Sequence, residues 1–462
     1  MFASWNGNWR RPKTAPSEAD RPGPPTALAP REEAFVTRPA HHTYGCGIIR
    51  LFFDLVLQGA ASFRGASACL ELIAQFLPGR DRTPTAWCGE LWLWRIGLYE
   101  ILRPKEPAAD RVWIVDHTVQ IGTTKCLVIV SVRLSAWQTQ PRPLEHQDLE
   151  VLALTPMEHS DGPQVQLELE ATAETVGVPR AIVSDHGTDL KRGIEAFRQG
   201  HPETAEVYDI AHKVACLLKH ELEADPRWSA FLQRLGQSKP QLQQTGLAFL
   251  TPPSPKSKAR YMNLEELLRW GANALEFLDH PRPVEGTAVA APKLVEKLGW
   301  LAEYRGAISE WEGLLRVVST TLEYVRHEGY HRRAATELAQ RLRPLLRQQS
   351  SRRLADDIVG FVKQQSAVAA PAERLIGSSE CLESLIGKGK RLERQQRKSG
   401  FTKMVLAMAA AVAKPTTEYL KEALDAVKTT DVYEWARALL GPSVQSQRRL
   451  AFAQLADGTK LG

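Results

Sequence analysis

Two aspartates lie in or directly after runs of residues that favour β-strands. Asp116 interrupts the run RVWIVDHTV, and Asp185 follows the short run AIVS. Aspartate is depleted in strands and costly to bury without a partner, so a bound cation is the most economical compensation for Asp116. The alternative is that Asp116 points out of the sheet and is solvated, as polar residues on strand faces often are. These two carboxylates are the first candidates for a cation site.

The residues around both aspartates predict an ordered series of strands and helices. Alternating and β-branched runs predict strands, and 3.6-residue periodicity predicts helices. A hairpin turning near Gly122 comes first, and Thr188 is the predicted N-cap of the helix after Asp185. The predicted strands are residues 111–119, 127–132, 150–154, 181–183 and 205–208, and the predicted helices are residues 166–176, 188–199 and 209–222. The order is therefore β-β-β-α-β-α-β-α.

This order predicts a mixed sheet with helices on both faces. Three antiparallel strands come first, and strand–helix–strand units then add parallel strands. Sites in such sheets form at strand ends, near the point where the strand order reverses. If the first and fourth strands pair, Asp116 and Asp185 lie on neighbouring strands. Two carboxylates so placed repel each other unless a cation lies between them.

Four sequence motifs carry a resemblance to a known family. They are WIVDHTVQIG, AIVSDHGTDLKRGIEAF, YDIAHKVACLLKHEL and SSECLESLIGKGKRLERQQRKSGFT. In their order, and with the predicted strands, they resemble the RNase H-like fold and, more narrowly, the DDE transposases of bacterial insertion sequences. The resemblance covers residues 110–224 and 372–412. It implies an α/β catalytic core that cleaves DNA strands and joins them to a target.

The resemblance also implies a third carboxylate on the last helix of the core, and two glutamates compete for this role. Glu383 has Lys390 seven residues later on the same helix face, which is similar to the glutamate–lysine pair of some insertion-sequence transposases. The tyrosine and arginine that precede that pair in the family are absent, since Ser379 and Ile376 stand at those positions. We expect Glu383 as the third ligand and Glu380 as the second choice. An ordinary solvated helix is the alternative.

The implied catalytic and metal-binding set is Asp116, Asp185 and Glu383. Hard oxygen ligands without cysteine suit Mg²⁺ or Mn²⁺ rather than zinc. Two such ions, about 3.5–4 Å apart, activate an attacking water or 3′-hydroxyl group and stabilise the leaving oxygen. Phosphoryl transfer of this kind relies on positioning and charge stabilisation rather than on a covalent nucleophile. His117 and His186 flank the aspartates, and we expect them to be packed or surface residues.

Basic residues near these motifs indicate DNA as the partner. The net charge of +6 permits a nucleic-acid partner without requiring one. Such basic runs are also common on solvated helix faces, but beside a metal site they would neutralise phosphates. The resemblance implies double-stranded DNA, as element ends and as target, and a homo-oligomer assembled on it. The candidate DNA-binding residues are His212 and Lys213 at a helix start, Lys388, Lys390, Arg391 and Arg394 on the last helix, and a basic run over residues 332–353.

The spacing of the motifs predicts an interrupted core. Glu383 lies 198 residues after Asp185, and a compact core of this kind does not need so long a gap. The intervening sequence is helical by its periodicity, and some DDE transposases carry an insertion at this place. The predicted organisation is a disordered leader (1–39), a helical, helix-turn-helix-like DNA-binding module (40–105), the first part of the RNase H-like core (106–224), an all-helical insertion (225–371), the last core helix (372–412) and C-terminal helices (413–462).

Composition argues against several other classes. The six cysteines form no CxxC pair, which indicates a reduced set rather than a disulfide framework or a zinc site. The N-terminus has no apolar segment typical of a signal peptide, and the longest apolar run, residues 404–413, is too short to span a bilayer. We therefore expect a cytoplasmic bacterial protein that associates with the nucleoid.

Two alternative functions are consistent with the same residues. A catalytically inactive, transposase-derived protein would bind DNA without cleaving it, but all three carboxylates are present. Another RNase H-like nuclease, such as a junction resolvase or a ribonuclease, would need neither the large helical insertion nor the N-terminal module. DNA strand cleavage and strand transfer by a DDE transposase remain the function that we expect.

Overall fold

The computed structural model describes residues 31–76, 82–119, 125–256, 261, 263–281, 291–396 and 402–458. Most of the predicted leader and the predicted hairpin turn near Gly122 lie outside the described residues. Within them, no helix combines the length and the apolar composition that are needed to cross a lipid bilayer.

A five-stranded mixed sheet lies where the sequence predicts it. Its strands are β1 Arg111–Val119, β2 Lys125–Arg133, β3 Glu150–Met157, β4 Ala181–Ser184 and β5 Ala205–Tyr208. The order across the sheet is β3-β2-β1-β4-β5. The first three strands pair antiparallel, and β4 and β5 add parallel to β1. The predicted pairing of the first and fourth strands is therefore present, and the strand order reverses at β1.

The rest of the described chain is mostly helical. The first eight α-helices are α1 Arg31–Val36, α2 Cys46–Leu57, α3 Phe63–Ala74, α4 Ala86–Leu102, α5 Leu134–Thr139, α6 Gly162–Val176, α7 Thr188–Gly200 and α8 Ile210–Glu223. The later ones are α9 Pro226–Gln243, α10 Leu264–Asp279, α11 Ala291–Leu298, α12 Arg305–Glu328, α13 Ala334–Leu342, α14 Gln349–Ser366, α15 Glu380–Glu393, α16 Leu406–Val412, α17 Thr417–Ala426, α18 Thr429–Leu439 and α19 Val444–Gly458. A mixed sheet with this many helices is compatible with an RNase H-like core that carries a helical insertion.

Both faces of the central strand β1 are covered by helices. Trp113 and Val115 pack into one hydrophobic core with residues of α6 and α7. Val112 and Ile114 point to the opposite face and join a larger core that includes residues of α8 and α15, and α15 contacts β1 directly. Because side chains alternate along a strand, this register fixes which face each later residue of β1 occupies.

The segment between α8 and α15 is helical in its described part and packs onto the core. Helices α12 and α14 contact α8. Gln365 Oε1 in α14 accepts a hydrogen bond from the backbone N of Tyr208 at 2.8 Å. Arg180, just before β4, forms an ion pair with Glu373 at 2.7 Å. The insertion and the sheet therefore share buried contacts.

The N-terminal and C-terminal helices are packed together. Helix α4 contacts α16 and α17, and more than half of its residues are buried. A Cβ built on Gly97 would lie 2.1 Å from the carbonyl oxygen of Leu406, so the two helix backbones touch. The helix-turn-helix-like interpretation of residues 40–105 stays a prediction. In the structure, α4 of this segment is a core helix, so little of its surface is left to enter a groove of DNA.

Local details differ from the predicted boundaries. Residues 31–36 form α1 within the segment predicted as a disordered leader. A short helix, α5, separates β2 from β3. Thr188 is the first residue of α7, and the cap position is Gly187, so the predicted Thr188 cap is wrong. None of these differences changes the position of Asp116 within β1 or of Asp185 directly after β4.

Candidate active site

Asp116 lies on the covered face of the sheet that α15 packs against. It follows Val112 and Ile114 by the two-residue period of a strand, and both of those residues belong to the core shared with α15. The side chain is partly buried, and its Oδ1 accepts a hydrogen bond from the backbone N of His117 at 2.6 Å. Helices cover both faces of β1, and Asp116 is partly buried rather than fully exposed; its role as a cation ligand stays a prediction.

Asp185 directly follows β4, the strand that pairs with β1. The parallel pairing of the two strands ends with Ile114 opposite Val183, and Asp116 and Asp185 each lie two residues further along the chain. The residue after Asp185, His186, has a φ of 58° in the left-handed region. Asp185 Oδ1 accepts a hydrogen bond from the backbone N of Gly187 at 2.9 Å. A tight turn thus holds Asp185 at the strand end.

Glu383 and Glu380 lie on the first turn of α15 but have different partners. Glu380 binds Arg326 of α12 through two hydrogen bonds of 2.5 Å, and it also accepts one from Ser378 Oγ at 3.1 Å. Glu383 Oε1 accepts a hydrogen bond from Ser379 Oγ at 3.3 Å. Glu380 therefore forms an ion pair with Arg326 of the insertion.

The donor chemistry suits a hard cation, but the structure does not gather a complete ligand set. Carboxylate oxygens such as those of Asp116 and Asp185 are the ligands that Mg²⁺ or Mn²⁺ prefers. Among the described residues there is no group of three or more His, Cys, Asp or Glu side chains placed to hold a metal ion. Metal binding by Asp116 and Asp185, with Glu383 as third ligand, therefore stays a prediction.

A third aspartate, Asp209, lies next to Asp185, although it was not among the predicted site residues. Asp209 follows β5, and the pairing of Ser184 with Tyr208 places it beside Asp185. Its backbone N donates to the carbonyl oxygen of Ser184 at 2.9 Å, and its side chain is completely buried. An acid directly after a short apolar strand is the pattern that identified Asp185, so the same signal was available for Asp209.

The opposite face of β1 carries a separate polar cluster. His117 Nε2 lies 2.9 Å from Ser160 Oγ, and Lys125 Nζ donates to Asp189 Oδ2 at 2.7 Å. Burial lowers the pKa of His117, and it outweighs the attraction of Asp189. Although burial would raise the pKa of Asp189, hydrogen bonds from Lys125 and Ser160 bring it down to about 2. His117 is therefore a packed residue, as expected.

His186 is also held by neighbouring side chains. Its ring stacks on Tyr208 with 4.2 Å between ring centroids. Its Nε2 lies 3.0 Å from Glu206 Oε1. These contacts agree with the expectation that His186 is packed beside the strand ends rather than directly catalytic.

The two DNA-binding candidates on α8 are partly buried. His212 provides a backbone N–H to Asp209 Oδ2 at 2.8 Å, and its ring lies 5.8 Å from that of Tyr208. Lys213 Nζ lies 5.7 Å from the centre of the Phe361 ring in α14. His212 thus lies against Tyr208 of β5 and Lys213 against the insertion, and DNA contact by either stays a prediction.

The four candidates on the α15 helix lie in different environments. Lys388 lines a cleft of about 570 Å³ between α15, the end of α12 and the loop before β3, and burial lowers its pKa. Arg391 donates to the carbonyl oxygen of Val56 at 3.0 Å, which ties α15 to α2. Lys390 is partly buried, and Arg394, just after the helix, is exposed. Arg394 is therefore the most accessible of the four.

Part of the basic run in the insertion is paired and part is open to solvent. Arg341 and Arg353 form ion pairs with Glu328 at 3.8 Å and with Glu221 at 2.8 Å. Arg332, Arg343 and Arg347 are exposed. Within the described residues, no carboxylate lies at ion-pair distance from these three. They remain available to a polyanion, as does the exposed Arg352, whose Nε donates to the carbonyl oxygen of Leu346 at 3.1 Å.

Comparisons with known proteins do not assign the chain to a family. The sequence matches no protein-family model, and a search of curated proteins gave no match. The structure is similar to the Drosophila P element transposase strand transfer complex, with a TM-score of 0.38 and 11% identity over 82% of this chain and 94% of that chain. A likeness this distant assigns neither a fold nor a function to the chain.

Proposed function

We propose that the protein is a DDE transposase that uses Mg²⁺ or Mn²⁺ to cleave DNA at the ends of an insertion sequence and to join those ends to target DNA. The observation that carries the proposal is the pair Asp116 and Asp185. Asp116 lies in β1 and Asp185 directly follows β4, the strand that pairs with β1, and the helix that carries Glu383 contacts β1; this arrangement supports the proposal. The resemblance of the four sequence motifs supports the same class.

The residues of the chain would have two roles, metal binding and neutralisation of DNA phosphates. Asp116 and Asp185 would hold the cations, and Glu383 would complete the set from α15. When bound, Mg²⁺ or Mn²⁺ stabilises charge on phosphate oxygens and lowers the pKa of an attacking hydroxyl group or water. Exposed cations, among them Arg394 and Arg332, would neutralise DNA phosphates. Several copies of the chain would then assemble on the two ends.

The flanking DNA tests the proposal without a known recognition sequence. A labelled fragment that contains the reading frame with several hundred base pairs of its native flanks serves as substrate, with Mg²⁺ or Mn²⁺. We expect nicks at a pair of inverted repeats that border the reading frame. Cleavage spread over the fragment without regard to such repeats would instead indicate a general nuclease.

Substitution of the aspartates tests the site. Asp116→Asn and Asp185→Asn should each reduce cleavage by more than about 100-fold and leave DNA binding nearly unchanged, because both side chains act on the metal rather than on the duplex. Asp161→Asn is the matched control, since this exposed N-cap of α6 tolerates asparagine. Near wild-type cleavage by either site variant would refute the assignment. Loss of cleavage in the control would make the result uninformative about metal binding and require a second control.

A further inference from the structure

The buried carboxylate of Asp209 links the start of helix α15 to the junction of β5 and α8 through hydrogen bonds. Asp209 Oδ1 accepts a hydrogen bond from the backbone N of Ser379 at 2.9 Å, and Oδ2 accepts one from the backbone N of His212 at 2.8 Å. The backbone N of Ile210 donates to the carbonyl oxygen of Gly377 at 2.9 Å. Two of these hydrogen bonds join segments that are about 170 residues apart in sequence.

The charge of Asp209 suits this place. A carboxylate without solvent exposure is costly unless donors surround it. Asp209 is the N-cap of α8, and Ser379 is the N-cap of α15. The positive ends of two helix dipoles therefore converge on the same side chain, and each helix supplies a backbone donor. Asp209 satisfies donors at the starts of both helices at once.

A short series of contacts leads from Asp209 to Glu383. Ser379, which donates its backbone N–H to Asp209, also donates its hydroxyl to Glu383 Oε1 at 3.3 Å. The backbone N of Glu383 donates to the carbonyl oxygen of Ser379 at 3.1 Å. The residue that Asp209 holds is thus in direct contact with the side chain and the backbone of Glu383.

We propose that Asp209 is a positioning residue, which fixes the first turn of α15 so that Glu383 faces the strand ends of Asp116 and Asp185. The proposal rests on the proposed function, because it gives Glu383 a reason to be positioned. A misplacement of about 1 Å in a catalytic group can lower a rate by about 100-fold. Asp209 acts through Ser379 and touches neither DNA nor the reacting atoms.

Two variants of Asp209 separate its two hydrogen bonds. Asp209→Ser keeps a good N-cap for α8 but is too short to reach Ser379. Asp209→Asn keeps the shape, but its amide nitrogen would face one of the two N–H donors, because Ser379 and His212 donate to different oxygens of the carboxylate. Asp225→Asn is the control, because Asp225 also caps a helix, α9, and accepts a hydrogen bond from Trp311 Nε1 of α12, away from α15.

Amide hydrogen exchange on the full chain tests whether Asp209 holds the start of α15, and it does not require DNA cleavage. The amide of Ser379 should exchange about 10-fold faster or more in Asp209→Ser, since a hydrogen bond to a charged group is lost. In Asp209→Asn, the amide of Ser379 or that of His212 should exchange faster, depending on which of them faces the new amide nitrogen. Exchange at Ser379 should stay unchanged in the Asp225 control, and unchanged exchange at Ser379 in Asp209→Ser would overturn the proposal.

Kinetics on the same variants test the positioning. We expect kcat for DNA cleavage to fall about 10- to 100-fold while KM for DNA stays constant, as for residues that orient metal ligands. Faster exchange with wild-type kcat, or a raised KM with unchanged kcat, would overturn the positioning role. If the wild-type chain cleaves no DNA, the proposed function fails and this role fails with it, whereas the exchange result still shows whether Asp209 holds α15.

Discussion

At the scale of single residues, Glu380 and Glu383 are two similar side chains that have different hydrogen-bond partners. Glu380 is bound on both oxygens by Arg326, which belongs to the insertion. Glu383 accepts a longer hydrogen bond, of 3.3 Å, from the neutral hydroxyl of Ser379. A carboxylate that neutralises an arginine has less charge to offer to a metal ion. The charge of Glu380 is thus engaged by Arg326, and Glu383 as the third ligand stays a prediction.

This difference predicts unequal effects of the same substitution. Glu383→Gln should reduce strand cleavage by more than about 100-fold, because it removes a charged metal ligand. Glu380→Gln should keep most of the cleavage rate, because it weakens only a partly exposed ion pair with Arg326. The measurement is single-turnover cleavage of the flanking-DNA substrate at saturating protein.

If Glu380→Gln loses cleavage and Glu383→Gln keeps it, Glu380 is the third ligand, and the proposed fold and reaction are unaffected. Full activity in both variants would remove α15 from the site. Binding of the same DNA by both variants is the control that they fold.

The aspartates were predictable from sequence, and the choice between the glutamates was not. A strand pattern interrupted by an acid is a local signal, and it placed Asp116 and Asp185 on neighbouring strands. The helix period places Glu380 and Glu383 only about 60° apart, which cannot distinguish them. The distinguishing residue, Arg326, lies 54 positions before Glu380, and no local pattern connects the two.

At the scale of elements, the packing of α4 against α16 is set by a glycine. Gly97 allows the backbone of α16 to approach so closely that a Cβ at this position would lie 2.1 Å from the Leu406 carbonyl oxygen. Trp92, Leu93 and Ile96 are buried on the same helix. The helical period of α4 was visible in the sequence, but the identity of its partner was not, because α16 lies about 300 residues later.

A pair of glycine-to-alanine variants tests this packing. Gly97→Ala should lower the free energy of unfolding by about 1–3 kcal/mol or more, because the added methyl group overpacks the interface between the two helices. Gly360→Ala in α14, where a Cβ meets nothing within 4 Å, should raise it by about 0.5–1 kcal/mol through helix propensity. Urea denaturation followed by circular dichroism measures both. Equal effects of the two substitutions would contradict close packing at Gly97.

At the scale of the whole molecule, one large hydrophobic core extends from the N-terminal helices through the sheet and the insertion to the C-terminal helices. The sequence predicted separate segments from motif spacing and composition. It did not show that these segments share a core, because long-range packing leaves no periodic signal. The charge is easier to predict, since Arg332, Arg343 and Arg347 of the basic run are exposed.

Those three arginines give a prediction for DNA binding by the full chain. Replacing them together by alanine should weaken binding to duplex DNA and reduce the slope of log K against log salt by up to about 3, one for each phosphate that is no longer neutralised. Replacing the paired Arg353 should change the slope little, since Glu221 already neutralises it. Fluorescence anisotropy over a salt series gives both slopes. An unchanged slope in the triple variant would place the DNA elsewhere.

The packing of α4 against α16 also has a consequence for synthesis on the ribosome. The apolar surface of α4 is made first, and its cover at Leu406 follows about 300 residues later. At about 5–20 residues per second, that interval lasts roughly 15–60 s. Throughout it, the face of α4 that packs on α16 lacks its final cover and is available to chaperones, although α2 and α3 already cover another part of the helix. Messages truncated before α16 would therefore yield chains prone to aggregation and degradation, so that almost only complete chains accumulate.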